Sequence, residues 1–218
     1  MIREILPKVE IFTVGEFAQL HDAQNLFKVH VSEMERLGID LSWKSSQIEG
    51  NTYSLPETER LLKEKETASG KTKEAAVMLL NHKDALDFIL DVLEYLKELT
   101  VPRIEEIHSL LMKELGVEGS IRYRRVGITG TNYRPLDNEF QICEAPEDTC
   151  ALINGKTDIF DKALLALVLL SYIQAFTDGN KRTARIISNG IVIANGYCPI
   201  SFRAVDSIDY KKAMLMFD

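Results

Sequence analysis

The sequence has no excess of positive charge: 26 Lys and Arg stand against 33 Asp and Glu, a formal net charge of -7. No global positive field is available to condense on a phosphate backbone, so direct nucleic-acid binding is not expected. Cysteine is scarce. Cys143, Cys150 and Cys198 are an odd number without zinc-type spacing, which reads as free thiols in a reducing compartment. Long apolar runs are missing too: the most apolar stretch, Ala163 to Ile173, falls well short of the roughly 20 residues a bilayer requires, and the N-terminus meets acidic residues early. Internal repeats and low-complexity tracts are lacking. The expectation is a soluble, cytosolic protein without a membrane partner. With 45% hydrophobic and 27% charged residues in 218, it should form one large domain, with or without a small N-terminal extension.

Helical periodicity dominates what is present. Phe17, Leu20, Leu26, Phe27, Val31 and Met34 fall near one face of a segment that Gly38 should end. A second segment, Asp40 to Ile48, begins at a residue able to cap and stops at Glu49-Gly50-Asn51; it is too short to stand alone and must dock. Ser54-Leu55-Pro56-Glu57 has the form of a capping box and announces a helix through Leu61 and Leu62. Lys63 to Lys73 is charged, contains Gly70 and reads as an exposed connection. From Glu74 to Leu99 the apolar spacing predicts one long core-facing helix. Thr100-Val101-Pro102 ends it and opens another, which carries Ile104, Ile107, Leu110 and Leu111 towards Gly116.

One stretch reads as β. Val126 and Ile128 alternate with smaller residues, Gly130 to Asn138 supplies turn chemistry, and Phe140 and Ile142 alternate again, so a single hairpin should lean on the helical body. Asp161 to Phe176 is apolar nearly all round, the pattern of a central buried helix. After a polar turn, a helix from about Lys181 to Ala194 closes at Asn195-Gly196. A last helix runs from about Ser207 to Asp218 and stops without a capping signal, which is compatible with a shortened chain and with a complete one. The fold class is all-α, a helical bundle with one β-hairpin.

The chemistry is concentrated in Gln174-Ala175-Phe176-Thr177-Asp178-Gly179-Asn180-Lys181-Arg182-Thr183-Ala184-Arg185. Here a buried helix breaks, and the next one begins with its orphan N–H groups and positive dipole end directed back at the turn, an arrangement that favours an anion. Gly179 allows close backbone approach, Asn180 and Lys181 add donors, and Arg182 and Arg185 share a helix face where two guanidinium groups can grip a polyphosphate. Asp178 either pairs with an arginine or holds Mg²⁺. Taken singly, the basic residues read as a solvated face, Asp178 as an N-cap and Gly179 as a turn residue. The spacing is not that of a nucleotide P-loop.

Together these residues resemble the Fic (Fic/Doc) family, whose signature is His-Pro-Phe-x-(Asp/Glu)-Gly-Asn-(Gly/Lys)-Arg-x-x-Arg; Phe176, Asp178, Gly179, Asn180, Lys181, Arg182 and Arg185 all match. A distant segment agrees: Ser45-Ser46-Gln47-Ile48-Glu49-Gly50 fits the family's inhibitory motif (Ser/Thr)-x-x-x-Glu-(Gly/Asn). The resemblance runs from about Asp40 to the chain end. It implies an N-terminal helical region over residues 1–72 with the inhibitory motif, and a Fic domain over 73–218 with a target-binding flap at about 122–143 and an active loop at 174–185.

What the resemblance implies is transfer of AMP from ATP to a Ser, Thr or Tyr hydroxyl of a target protein, with release of pyrophosphate. Asp178 would hold Mg²⁺, and Gly179, Asn180 and Lys181 would form the anion hole. Arg182 would bind phosphate and Arg185 would orient the γ-phosphate. Ile128, Thr129 and Gly130 on the flap would register the target by strand-like pairing. Ser45, Glu49 and Gly50 belong to the inhibitory segment, where Glu49 pairs with Arg185 and blocks productive placement of the γ-phosphate; in some relatives this glutamate also assists removal of AMP. Homodimerisation is left open.

The departure is at Gln174, where the family carries the histidine that takes the acceptor proton. An amide has no basic nitrogen, so direct general-base catalysis there is excluded. Gln174 is compatible with a degenerate member that binds nucleotide or transfers slowly, and with an introduced replacement. His21, His30, His82 and His108 read as exposed or hydrogen-bonded rather than as a relocated base. Two other classes of function stay open: a non-catalytic nucleotide-binding regulator, and, because Lys181 replaces a glycine, transfer of another phosphate-containing group.

Overall fold

The computed structural model describes residues 31–124, 126–127 and 135–215. The start of the first expected helix, and Ile128, Thr129 and Gly130 of the expected flap, lie outside these residues. The chain forms α1 (Val31–Ile48), α2 (Leu55–Glu64), α3 (Lys73–Asp91), a 3₁₀ turn (Leu93–Leu96), α4 (Val101–Met112), α5 (Glu139–Asn154), α6 (Ile159–Ile173), α7 (Asn180–Ala194) and α8 (Ser207–Leu215).

Side-chain caps set most of the starts. The expected capping box opens α2: Glu57 N donates to Ser54 Oγ at 3.4 Å while Glu57 Oε2 accepts from Ser54 N at 2.7 Å. Thr72 caps α3 through Ala75 N, Asn138 caps α5 through Phe140 N, and Asp158 caps α6 through Phe160 N and Asp161 N. Asp206 Oδ1 accepts from Ile208 N and Asp209 N at the start of α8.

α6 and α7 make the most extensive helix pair, and every residue of α7 except Lys181 is buried. α3, α4 and the 3₁₀ turn pack on α7 from other sides. α1 lies across α3, and α8 lies against α1. Residues from the 3₁₀ turn, α3 to α7 and Leu41 of α1 share one main core, while Tyr53, Leu61, Ala76 and Leu79 form a second cluster. All three cysteines are free, as expected. Among the described residues no helix is long and apolar enough to cross a membrane.

Three expectations are corrected. Gly38 does not end a helix: α1 runs through it, and Asp40 is internal rather than a cap. A Cβ at Gly38 would lie 3.3 Å from Leu86 Cδ2, so this glycine lets α1 approach α3 closely. Tertiary packing has overridden its local preference for a stop.

The long helix over 74–99 is instead α3 plus the 3₁₀ turn, divided at Val92, where φ is -124°. The returning strand of the hairpin is helix: Phe140 and Ile142 lie at the start of α5, and no strand is present among the described residues. Ile142, Ala145, Cys150 and Ile153 give α5 its buried face, and it accommodates Pro146 internally. The helical bundle is therefore as expected, whereas the single β-hairpin is not found among the described residues.

Candidate functional site

α6 ends at Ile173, and Gln174 reverses the chain in the left-handed region (φ 48°, ψ 54°). The loop that follows is closed by its own side chains. Asn180 Oδ1 accepts from Phe176 N at 2.9 Å, and its Nδ2 donates to Phe176 O at 2.8 Å and to Gln174 Oε1 at 3.1 Å. Gln174 Nε2 in turn donates to Ser171 O. The amide of Gln174 is thus committed to holding the loop, and so is that of Asn180. What Asn180 and Lys181 retain for an anion are backbone N–H groups of the first turn, which have no intrahelical acceptor.

Phe176 is buried and stacks on His108, with ring centroids 3.6 Å apart and planes 10° from parallel. Gly179 takes φ +75°, and a Cβ there would lie 2.3 Å from Met112 Cε and 3.2 Å from His108 Cε1. The left-handed φ calls for glycine, and any Cβ would in addition have to displace the end of the Met112 side chain.

Two arginines flank the start of α7. Arg182 is buried, with Nη2 3.4 Å from Asp178 Oδ2. Arg185 is more deeply buried: Nε donates to Ser45 Oγ at 3.0 Å, and Nη2 donates to Ser45 O at 3.0 Å and to Glu49 Oε1 at 2.7 Å. Gly50, at φ +96°, turns the chain away just after Glu49. Nη1 of each arginine is buried without a hydrogen-bond partner, and such a donor in the interior suits an anionic oxygen. Burial lowers the pKa of Arg182, with Asp178 and Glu49 opposing that shift.

Glu49, Gly127, Gln174, Thr177, Asp178, Gly179, Asn180, Lys181 and Arg182 line a cavity of about 230 Å³. A second cavity of about 220 Å³ is also bounded by Thr177, together with Gly116, Val117, Glu118, Arg122, Tyr123 and Arg124. The structure therefore brings Gln174 and the run Thr177–Arg182 to one cavity with Glu49, and joins Arg185 to Ser45 and Glu49.

The described histidines are not at the cavity surface. His108 is fully buried. Thr183 Oγ1 donates to Gly179 O, so the 3.0 Å contact from His108 to Thr183 makes Nδ1 the donor. Burial first, then the charge of Arg182, pushes His108 down to about 4; burial, then Arg185 and Arg182, pushes His82 down to about 3.

Residues 98–191 match the Fic/DOC family. The chain is 30% identical over 180 residues to protein adenylyltransferase Fic of Nematostella vectensis, covering 77% of this chain and 40% of that protein. To protein adenylyltransferase fic-1 of Caenorhabditis elegans it is 27% identical over 159 residues, covering 70% of this chain and 31% of that protein. A Fic domain-containing signaling protein from Bacteroides thetaiotaomicron superposes with a TM-score of 0.77 at 20% identity, over 92% of this chain and 80% of that one. This is a Fic-family protein. C. elegans Fic-1 shares the fold as well, with a TM-score of 0.70 at 24% identity, over 98% of this chain and 64% of that one. The chain spans less than half the length of these two named adenylyltransferases.

Within this Fic-family chain, sequence reasoning missed three residues at the site. Arg122, 1% exposed, donates from Nε to Gln174 O at 2.6 Å, from Nη1 to Arg124 O at 2.7 Å and from Nη2 to Leu136 O at 2.8 Å. Its backbone N–H donates to Ala175 O at 2.9 Å. It therefore ties the entrance of the active loop to both sides of the 125–135 segment. His108 supports Phe176 from beneath, and the Tyr210 ring lies 5.6 Å from the Arg185 guanidinium. An isolated arginine followed by Tyr-Arg-Arg carries no local signal of such a role; only the fold brings its acceptors together.

Asp178 is the one acidic side chain of the loop, 68% exposed and at the edge of the larger cavity. Among the described residues there is no group of three or more His, Cys, Asp or Glu able to hold a metal. A single open carboxylate suits a magnesium ion that takes its remaining ligands from phosphate oxygens and water, and does not suit an all-protein cage.

Proposed function

We propose that the chain is a Fic-type protein adenylyltransferase that transfers AMP from ATP to a Ser, Thr or Tyr hydroxyl of a target protein, restrained by Glu49 and impaired at Gln174. The observation that carries this reading is the pair of buried arginines at the amino end of α7, each with an Nη1 that makes no hydrogen bond within the protein, of which Arg182 lines a cavity of about 230 Å³ and Arg185 is bonded to Glu49, which lines it too. In the reaction the acceptor oxygen bonds to the α-phosphorus, the bond from that phosphorus to the β-phosphate oxygen breaks, pyrophosphate leaves, and the acceptor proton passes to solvent water, since Gln174 supplies no basic nitrogen.

Gly179, Asn180 and Lys181 offer first-turn N–H groups to the phosphates, Arg182 binds them, and Arg185 orients the γ-phosphate once released from Glu49. Asp178 is the proposed Mg²⁺ ligand, and the ion would neutralise charge on the phosphates. The target segment is assigned to the flap expected at about 122–143, with Ile128, Thr129 and Gly130 registering it. Residues 1–72 form the restraining region and 73–218 the catalytic domain.

A second reading has its own support. Gln174 has no basic nitrogen, and both ends of its amide are engaged, by Ser171 O and by Asn180. On that ground the chain is a nucleotide-binding regulator. The test is incubation of the wild-type, Glu49→Gly and Gln174→His/Glu49→Gly proteins with Mg²⁺ and ATP labelled on the α-phosphate, with a lysate as acceptor. Label transferred by the double variant supports the first reading. ATP binding by calorimetry with no label from the double variant supports the second.

A further inference from the structure

The last turn of α1, which presents Glu49, is not seated on the main core. Ile48, the residue before Glu49, is 1% exposed, and its buried partners are Tyr210 and Met214 of α8, with Phe202 packed alongside. This cluster is separate from the main core. Phe202 and Tyr210 meet edge-to-face at 5.4 Å, and the other side of Tyr210 reaches Arg185, the partner of Glu49.

A second attachment lies about two turns upstream on α1, where the buried Asp40 accepts from Arg203 Nη1 at 3.1 Å. Arg203 and Phe202 belong to the segment that leads into α8, so one stretch of chain grips α1 at two points. On its inner side the same helix end is held by Arg185, through Ser45 Oγ, Ser45 O and Glu49, so the attachment through α8 is the outer of two, and an outer attachment of a few side chains opens more readily than the core.

We propose that α8 and the segment leading into it form a clasp that sets the register of Glu49 on Arg185, so that loosening α8 frees Arg185 for the nucleotide. Ile48 transmits the effect: its burial by Tyr210 and Met214 fixes the rotation of the α1 terminus, and Glu49 follows in the chain. Met214 and Arg203 are positioning residues that act on the pair without contacting it. The inference rests on the reading of Glu49 as an inhibitory residue.

The experiment measures the affinity of the full chain for ATP with Mg²⁺ by calorimetry in a double-mutant cycle. Arg203→Ala and Met214→Ala are each made alone and together with Glu49→Gly. Arg203 is 52% exposed, but its replacement leaves the buried Asp40 without its partner, so a thermal melt on each variant confirms that it is folded before affinities are compared, and Met214→Ala tests the clasp independently. With Glu49 present, each clasp variant should tighten ATP binding several-fold; with Glu49→Gly already in place, each should change it less than twofold. Met214→Leu should restore wild-type affinity, because it refills the space beside Ile48. Equal shifts in the two backgrounds overturn the clasp. So does no shift from either variant when Glu49→Gly alone tightens binding. If Glu49→Gly leaves the affinity unchanged, the inhibitory reading itself falls and the clasp falls with it.

Discussion

Glu49 and Arg185, 136 positions apart in the chain, share a 2.7 Å hydrogen bond in which Nη2 donates to Oε1; the arginine side chain is 2% exposed and the carboxylate side 27%. A charge-assisted contact of this kind between a buried and a half-buried group contributes about 1.5–3 kcal/mol. Its removal should act in two opposite directions.

Without Glu49 the guanidinium keeps its hydrogen bonds to Ser45 but loses its counter-charge. Glu49→Gly should therefore melt at a lower temperature than wild type in the absence of nucleotide, by roughly 1–3 kcal/mol of stability. The same variant should bind ATP about tenfold tighter or better, and saturating ATP should recover the lost melting temperature. Calorimetry and thermal melts with and without ATP check both arms.

Acid should weaken the protein through His82 and His108, the two buried histidines among the described residues. His82 and His108 have folded-state pKa values of about 3 and about 4, below the ordinary value of 6.5, so the unfolded chain binds protons that the folded chain refuses. Their contribution is fully present above about 6.5 and is lost as the pH falls towards 4 and then 3. Each should take away roughly 2 kcal/mol between pH 7 and pH 5. Urea unfolding at the two pH values measures the loss, and His108→Gln should flatten the slope by about half.

Restoring a basic nitrogen at position 174 should raise transfer. In the Glu49→Gly background, Gln174→His is expected to speed AMP transfer by about 10²–10⁴-fold. The replacement also gives up the hydrogen bonds to Ser171 O and from Asn180, so a modest drop in melting temperature should accompany it. Single-turnover assays with α-labelled ATP separate the rate from nucleotide affinity.

Arg122→Ala should be among the most damaging single changes in the chain. It removes donors to three carbonyls, those of Gln174, Arg124 and Leu136, of which the first and last contacts are buried. The expected loss is about 3 kcal/mol or more, read as a fall in the urea midpoint. Arg122→Lys should recover only part of it, because one ammonium does not reproduce a planar fork that spans three acceptors.

What was legible in the sequence was chain-local. The active loop is a contiguous run whose residue types already state its chemistry, and Ser45 to Gly50 is a short motif of the same kind; the fold then places Glu49 on Arg185. Elements decided by distant packing were not legible. Gly38 carries the local signal of a helix stop, yet Leu86 on α3 makes it a contact residue inside a helix. Phe140 and Ile142 alternate like a strand, yet the cap at Asn138 and the buried face from Ile142 to Ile153 make them helix. Arg122, His108 and Tyr210 gain their roles from partners 52, 68 and 25 positions away, namely Gln174, Phe176 and Arg185.

The burial of α7 has a last consequence. Because its flanks are enclosed by α6, α3, α4 and the 3₁₀ turn, the helix that carries both arginines cannot slide or tilt without dislodging the interior of the bundle. Restrained and released states of the protein should then superpose on those two side chains, with all displacement confined to the periphery, and ligand admission becomes a matter of uncovering a receptor that was built in advance.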